Sequence, residues 1–247
     1  LTNALLDSVT IDGVKTDLEL RRWGRRGLLI ATAALVAVAG LITPSAAPHI
    51  ATSVLATASA APCPDVEVVF ARGREEAPGA GVIGNAFVNA LRSKTGKDIG
   101  LYAVRYPADT EIDLGANDMS QHIQYMAANC PDTRLVLGGY SLGAAVTDVV
   151  LAAPIAAFGF NSPLPAGMDR HIAAVALFGN GIAWVGPISN FSPLYGDRTI
   201  ELCHGDDPIC NPTDPENWEA YWPDHFASAY ISAGMVNQAA DFVAAKI

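Results

Sequence analysis

The chain has 247 residues, of which 51% are hydrophobic and only 16% charged, with a mean hydropathy of +0.26. Its formal net charge is −10, and from residue 61 onward 10 Lys and Arg stand against 21 Asp and Glu, a balance of −11. A body so acidic has no basic face to displace counterions from phosphates, which excludes nucleic acid as a partner, and the length suits one catalytic domain.

In chain order the first element is an address. Arg21, Arg22, Arg25 and Arg26 precede an uncharged apolar run at residues 27–42, followed by Pro44 and the small residues Ser45, Ala46 and Ala47. This is the three-part pattern of a signal peptide, so residues 1–47 are expected to be a leader and the protein secreted. Ala58-Ser59-Ala60 is a second cleavage candidate, which places the mature body at residues 61–247. The run is shorter than the roughly 20 residues of a spanning helix, so no stable membrane span is expected after cleavage; an uncleaved anchor is the alternative. Arg25-Arg26 before the run also resembles a twin-arginine export signal.

From Asp65 onward, short apolar runs alternate with amphipathic stretches of helical length, the pattern of a parallel sheet covered on both faces. Strands are predicted at residues 66–71, 99–106, 134–137 (running into Gly138-Gly139), 171–178 and 198–202. Helices are predicted at 81–91, 114–128 and 142–151, with one long terminal helix over 225–245. Pro, Gly, Ser and Asn mark 154–167 and 181–197 as loops. Four cysteines follow the leader. The close spacing of Cys203 and Cys210, with Gly205 and Pro208 between them, makes that pair the natural short loop and leaves Cys63 with Cys130. On the chain-entropy model such bridges contribute about 2.5 and about 4 kcal/mol. A zinc site is the weaker reading, because there is no C-x-x-C pair and His204 is the one imidazole nearby.

The strongest chemical signal is Gly139-Tyr140-Ser141-Leu142-Gly143, a G-x-S-x-G pentapeptide between a predicted strand and a predicted helix. A strained strand-to-helix turn lifts the serine Oγ out of the backbone, and glycines on either side let neighbouring chain pack against it. The hydroxyl needs a base. His49 lies by the leader, His122 inside a helix and His171 at a strand start; His225 follows the last strand, where the Ser…Asp…His order of such folds places the imidazole, with His204 as runner-up. Asp206 and Asp207 are the carboxylates available after the fifth strand, and the residues alone do not separate them.

At this point the chain resembles the cutinase family. The resemblance runs from about Cys63 to the C-terminus and rests on five features in order: Cys63 before the first strand, Ala71-Arg72-Gly73 after it, Cys130-Pro131 before the third, Gly139-Tyr140-Ser141 at the elbow, and an aspartate in a Cys-x6-Cys loop followed by a late histidine. It implies an α/β-hydrolase fold: a three-layer αβα sandwich with a mainly parallel five-stranded sheet and no lid domain. It also implies a Ser141–His225–Asp207 triad, bridges Cys63–Cys130 and Cys203–Cys210, and ester hydrolysis without metal or organic cofactor. The oxyanion hole would use the backbone N–H groups of Arg74 and Leu142. The family carries Ser or Thr where Arg74 stands, so the guanidinium either leaves a donor missing or supplies its own. Trp218, Tyr221 and Trp222 are candidates for an apolar rim around the acyl chain. The expected partner is an ester or lipid substrate and the expected state a monomer. Two alternatives stand beside this reading: a catalytically weak ester- or lipid-binding protein on a hydrolase scaffold, and a serine peptidase.

Overall fold

The structure, a computed structural model, describes residues 62–211 and 213–247. The leader and both cleavage candidates lie outside these residues, as does His49. Among the described residues no helix is long and apolar enough to cross a membrane.

Five strands, β1 (Val66–Ala71), β2 (Ile99–Ala103), β3 (Arg134–Tyr140), β4 (Ile172–Phe178) and β5 (Thr199–Leu202), form one sheet in the order β2-β1-β3-β4-β5, every neighbouring pair parallel. The central strands are apolar, Arg134 at the start of β3 excepted, because helices cover both faces: β4 is buried at all seven positions and β3 at six of seven. On one face α2 (Ile112–Asn129) and α3 (Leu142–Ala152) pack through Met119, Ile123, Val146 and Val150 onto Val69, Leu137 and Val175. On the other, α1 (Gly81–Lys94) and α7 (Met235–Ala244) pack through Ile83, Phe87, Leu91 and Val243 onto Val68, Phe70 and Phe178. This is the αβα sandwich expected.

Two expectations need correction. The second strand ends at Ala103, three residues early, although the Val104 N–H still reaches the Phe70 carbonyl at 3.0 Å. The terminal helix is interrupted: His225 sits in a short 3₁₀ turn, α6 (Ala227–Ser232) follows, and Gly234 at φ 75° ends it before α7 begins. Glycine adopts this left-handed conformation without the Cβ clash that other residues meet, so it stops the helix even though the apolar spacing runs on. The loop over 181–197 holds short helical turns, among them α4 (Ile188–Phe191), and α5 (Trp218–Tyr221) precedes the 3₁₀ turn.

Both bridges form as the spacing suggested, with Cα–Cα separations of 5.6 Å for Cys63–Cys130 and 5.8 Å for Cys203–Cys210. The first ties the entry of β1 to the end of α2.

Candidate active site

Successive strands are laid down on opposite sides of β1, first β2 and then β3. Open parallel sheets bind ligands in the crevice this creates at their carboxyl edge. β1 delivers Arg72, Gly73 and Arg74 there, and β3 delivers the elbow.

Ser141 stands at φ 55° and ψ −117°. A non-glycine residue held at such angles costs about 1–3 kcal/mol and persists where its surroundings over-determine it. Here its N–H donates to Phe178 O at 2.8 Å, and its carbonyl accepts from the Ala144 N–H at 3.0 Å and the Gly181 N–H at 3.1 Å. A Cβ added to Gly139 would lie 2.1 Å from the Gly143 carbonyl oxygen, and one on Gly143 would lie 2.0 Å from that of Ala71. The two glycines of the pentapeptide therefore let the first turn of α3 close onto the elbow and onto the end of β1.

His225 is buried. Its Nε2 lies 2.9 Å from Ser141 Oγ and its Nδ1 2.7 Å from Asp207 Oδ2, so the three residues form one continuous hydrogen-bonded relay. The Tyr140 hydroxyl donates to the His225 carbonyl, and the Trp222 ring packs 5.2 Å from the imidazole. Asp207 is fully buried within the Cys203–Cys210 ring. Its Oδ1 accepts the Ile209 N–H at 2.8 Å, and its Oδ2 also accepts the Tyr230 hydroxyl at 2.5 Å. Burial pushes this carboxyl up, but the hydrogen bonds from His225 and Tyr230, the His225 charge and the Ile209 N–H outweigh it and hold the group below the usual carboxylate range.

Of the two aspartates, Asp207 is the one within hydrogen-bonding distance of His225. Asp206 is exposed, and its Oδ1 accepts the Thr213 hydroxyl at 3.2 Å. The other described histidines lie elsewhere: His122 Nε2 is 2.7 Å from Glu67, His171 Nε2 accepts from Arg170 Nε at 3.3 Å, and His204 Nδ1 is 3.4 Å from Asp224 without a hydrogen bond. Cys203, Cys210 and Asp207 approach one another as metal ligands would, but the two sulfurs are bonded to each other.

Arg74, Ser141 and Leu142 line a cavity of about 470 Å³, whose apolar wall is Ile209, Trp222 and Phe226. The backbone N–H groups of Arg74 and Leu142 donate to no oxygen among the described residues. The Arg74 guanidinium is exposed and paired with Asp109 at 3.0 Å. Of the three residues expected at the rim, Trp222 forms the wall and Trp218 packs edge-on against it at 5.6 Å, while Tyr221 lies outside the lining.

The sequence named Arg72 and Tyr140 only as members of motifs and did not single out Glu76 or Tyr230; the contacts these four make were not legible in it. Arg72, buried, donates to the carbonyls of Glu76 at 2.8 Å, Tyr106 at 2.6 Å and Pro107 at 3.1 Å. Glu76 accepts the Gly73 N–H at 2.6 Å and the Val82 N–H at 2.7 Å, so the 72–76 loop is held rigidly over the elbow. Tyr140 and Tyr230 brace the relay across 85 and 23 residues of sequence. No local motif carries such contacts, although the Tyr140 ring leaves a trace in Gly73, where a Cβ would come 2.7 Å from it.

A parallel sheet with helices on both faces and a strained serine at the carboxyl end of its central strand is an α/β-hydrolase of the cutinase type. The cutinase family model matches residues 62–247. "Probable carboxylesterase Culp2" of Mycobacterium tuberculosis is 68% identical over 217 residues, covering 88% of this chain and 94% of that protein. "Phospholipase Culp4" of the same organism is 48% identical over 234 residues, covering 92% and 96%. Among solved structures, a Trichoderma reesei cutinase in complex with a phosphonate inhibitor superposes with a TM-score of 0.57 at 30% identity, covering 74% of this chain and 76% of that one. The chain belongs to the cutinase family and is an esterase of that family.

Proposed function

We propose that the protein is an exported serine hydrolase of short- to medium-chain carboxylic esters, lipid esters and cutin-like polyesters included, that works through an acyl-enzyme on Ser141. The observation that carries this reading is the relay from Asp207 through His225 to Ser141 Oγ, with steps of 2.7 and 2.9 Å. Ser141 Oγ attacks the ester carbonyl carbon while His225 Nε2 takes the hydroxyl proton. The tetrahedral oxyanion is received by the Leu142 and Arg74 N–H groups. Collapse expels the alkoxide, which takes the proton from His225 and leaves as alcohol. Water, deprotonated by the same imidazole, then attacks the acyl-enzyme and releases the acid. Asp207 holds the Nδ1–H tautomer and stabilises the imidazolium without being protonated itself.

The cavity of about 470 Å³, with Arg74 and Glu75 also in its lining, offers a Trp222 and Phe226 wall against which an acyl chain can lie. A relative named as a phospholipase and the exposed Trp218 and Phe226 beside the mouth support lipid esters among the substrates. Export is supported by the signal-like leader and by the two bridges, which persist in oxidising compartments. An acyl-chain series of p-nitrophenyl esters on the purified protein tests the reading. Burst release of p-nitrophenol on short and medium chains, absent in Ser141→Ala, is expected. Stoichiometric ester binding without turnover would favour a binding protein, and faster cleavage of peptide amides a peptidase.

A further inference from the structure

We propose that Asp148 and Asn180 form a positioning pair for the oxyanion hole: through the loop after β4 they fix the tilt of the Ser141–Leu142 peptide, and with it the direction of the Leu142 N–H. The proposal rests on Ser141 being the nucleophile.

Asp148 lies on α3 and Asn180 just beyond β4, and both are buried, at 5% and 4% exposure. The Asn180 Nδ2 donates to Asp148 Oδ2 at 2.6 Å, and Asn180 Oδ1 accepts the Ile182 N–H at 3.1 Å, so both ends of the amide are in use. The Gly179 N–H is anchored on Leu202 O at 2.9 Å. Between these anchors the Gly181 N–H donates to the Ser141 carbonyl at 3.1 Å. A Cβ built on Gly181 would stand 3.1 Å from Ser141 O and 3.6 Å from Leu142 N, so the loop backbone lies directly against that peptide. A peptide unit is planar, and a donor fixed on its carbonyl oxygen therefore fixes where the N–H on its other edge points.

The carboxyl is only half satisfied here. Asp148 Oδ1 has no hydrogen-bond partner among the described residues, and the adjoining cavity of about 220 Å³ is walled by Val149, Ile182, Ile188 and Phe191. An alkyl side chain at this helix position would avoid the cost of burying an unsatisfied oxygen. Asn180 is the one hydrogen-bond partner of the carboxyl among the described residues, and what Asn180 holds is the loop against the nucleophile.

The test measures kcat and KM for p-nitrophenyl butyrate, the inhibition constant of an alkyl boronic acid that forms a tetrahedral serine adduct, and Tm, for Asn180→Ala, Asp148→Ala and Asp148→Asn. Asn180→Ala and Asp148→Ala are expected to lower kcat about 10- to 100-fold with KM within about twofold, and to weaken the boronate in parallel. Asp148→Ala strands the buried Asn180 Nδ2, so a modest fall in Tm is expected with it. Asp148→Asn, whose amide oxygen still accepts from Asn180, should recover most of kcat. Should Asp148→Ala fail to fold, Asn180→Ala and Asp148→Asn decide the matter. Unchanged kcat and boronate affinity in Asn180→Ala, with Ser141→Ala inactive, would overturn the pair's role and leave the nucleophile standing. A fall in kcat that tracks a fall in Tm and spares the boronate would overturn it too, as a structural effect. An active Ser141→Ala would instead sink the reading beneath it.

Discussion

Two buried aspartates flank the elbow, and their surroundings drive them in opposite directions. Asp207 accepts three donors and is held below the usual carboxylate range. A carboxyl depressed by folding contributes stability that is present above its unfolded pKa and is lost as pH falls through the folded value, so this contribution fades only below about pH 4. Asp148 is pushed up to about 7, by burial first and the Glu201 charge as well, against the Asn180 hydrogen bond. Here the native state holds a proton that the unfolded state releases near pH 4, and stability falls as pH rises from there to about 7. Asp148→Asn should flatten that slope and raise Tm at pH 8 while leaving it nearly unchanged at pH 4. An equal Tm shift at both pH values would contradict the assignment. Asp206→Ala should remain active and Asp207→Ala should lose about 10⁴-fold in kcat, a contrast that comparative ester kinetics would check. The adjacent pair was illegible from composition and spacing, because which of two neighbouring carboxylates turns inward depends on how the turn closes; here the Asp207 N–H donates to His204 O at 2.9 Å. Arg74→Ser should raise kcat with KM nearly constant, since the guanidinium is paired with Asp109 while a hydroxyl on the turn would add a preorganised donor. A lowered kcat would return the guanidinium to the oxyanion hole.

Elements with one dominant signal were legible in the sequence. The runs at 66–71 and 172–178 are apolar at every core position because helices cover both faces, and the helices that cover them keep an i, i+3, i+4 stripe. The C-terminal region misleads because its apolar spacing continues through a break set by one backbone angle. Gly234→Ala tests this. Open space surrounds the position, so the cost should be that of the left-handed backbone alone, about 1–2 kcal/mol by chemical denaturation, with ester hydrolysis retained. No loss of stability would mean the chain tolerates a continuous helix there. The Cys203–Cys210 ring ties β5 to the relay, so Cys203→Ser with Cys210→Ser should depress kcat as well as Tm. A change in Tm alone would mean Tyr230 and Ile209 hold Asp207 without the ring.

At the scale of the molecule, the strand order decides where chemistry can happen. The crevice between β1 and β3 receives the 72–76 loop, the elbow and the aromatic wall, while the carboxylate and imidazole arrive from loops after β5. The order of those parts along the chain was readable as a family resemblance. Their bracing was not, because Arg72, Glu76, Tyr140 and Tyr230 act across loops whose approach only the folded sheet defines. The central claim, that these parts converge to make Ser141 the nucleophile, is tested most directly by covalent labelling. The purified protein would be treated with a p-nitrophenyl alkylphosphonate and its peptides mapped by mass spectrometry. The account predicts one phosphonyl group per chain on Ser141, release of one equivalent of p-nitrophenol, and a labelling rate that collapses in His225→Ala. Labelling at another residue, or unabated labelling and turnover in Ser141→Ala, would contradict it.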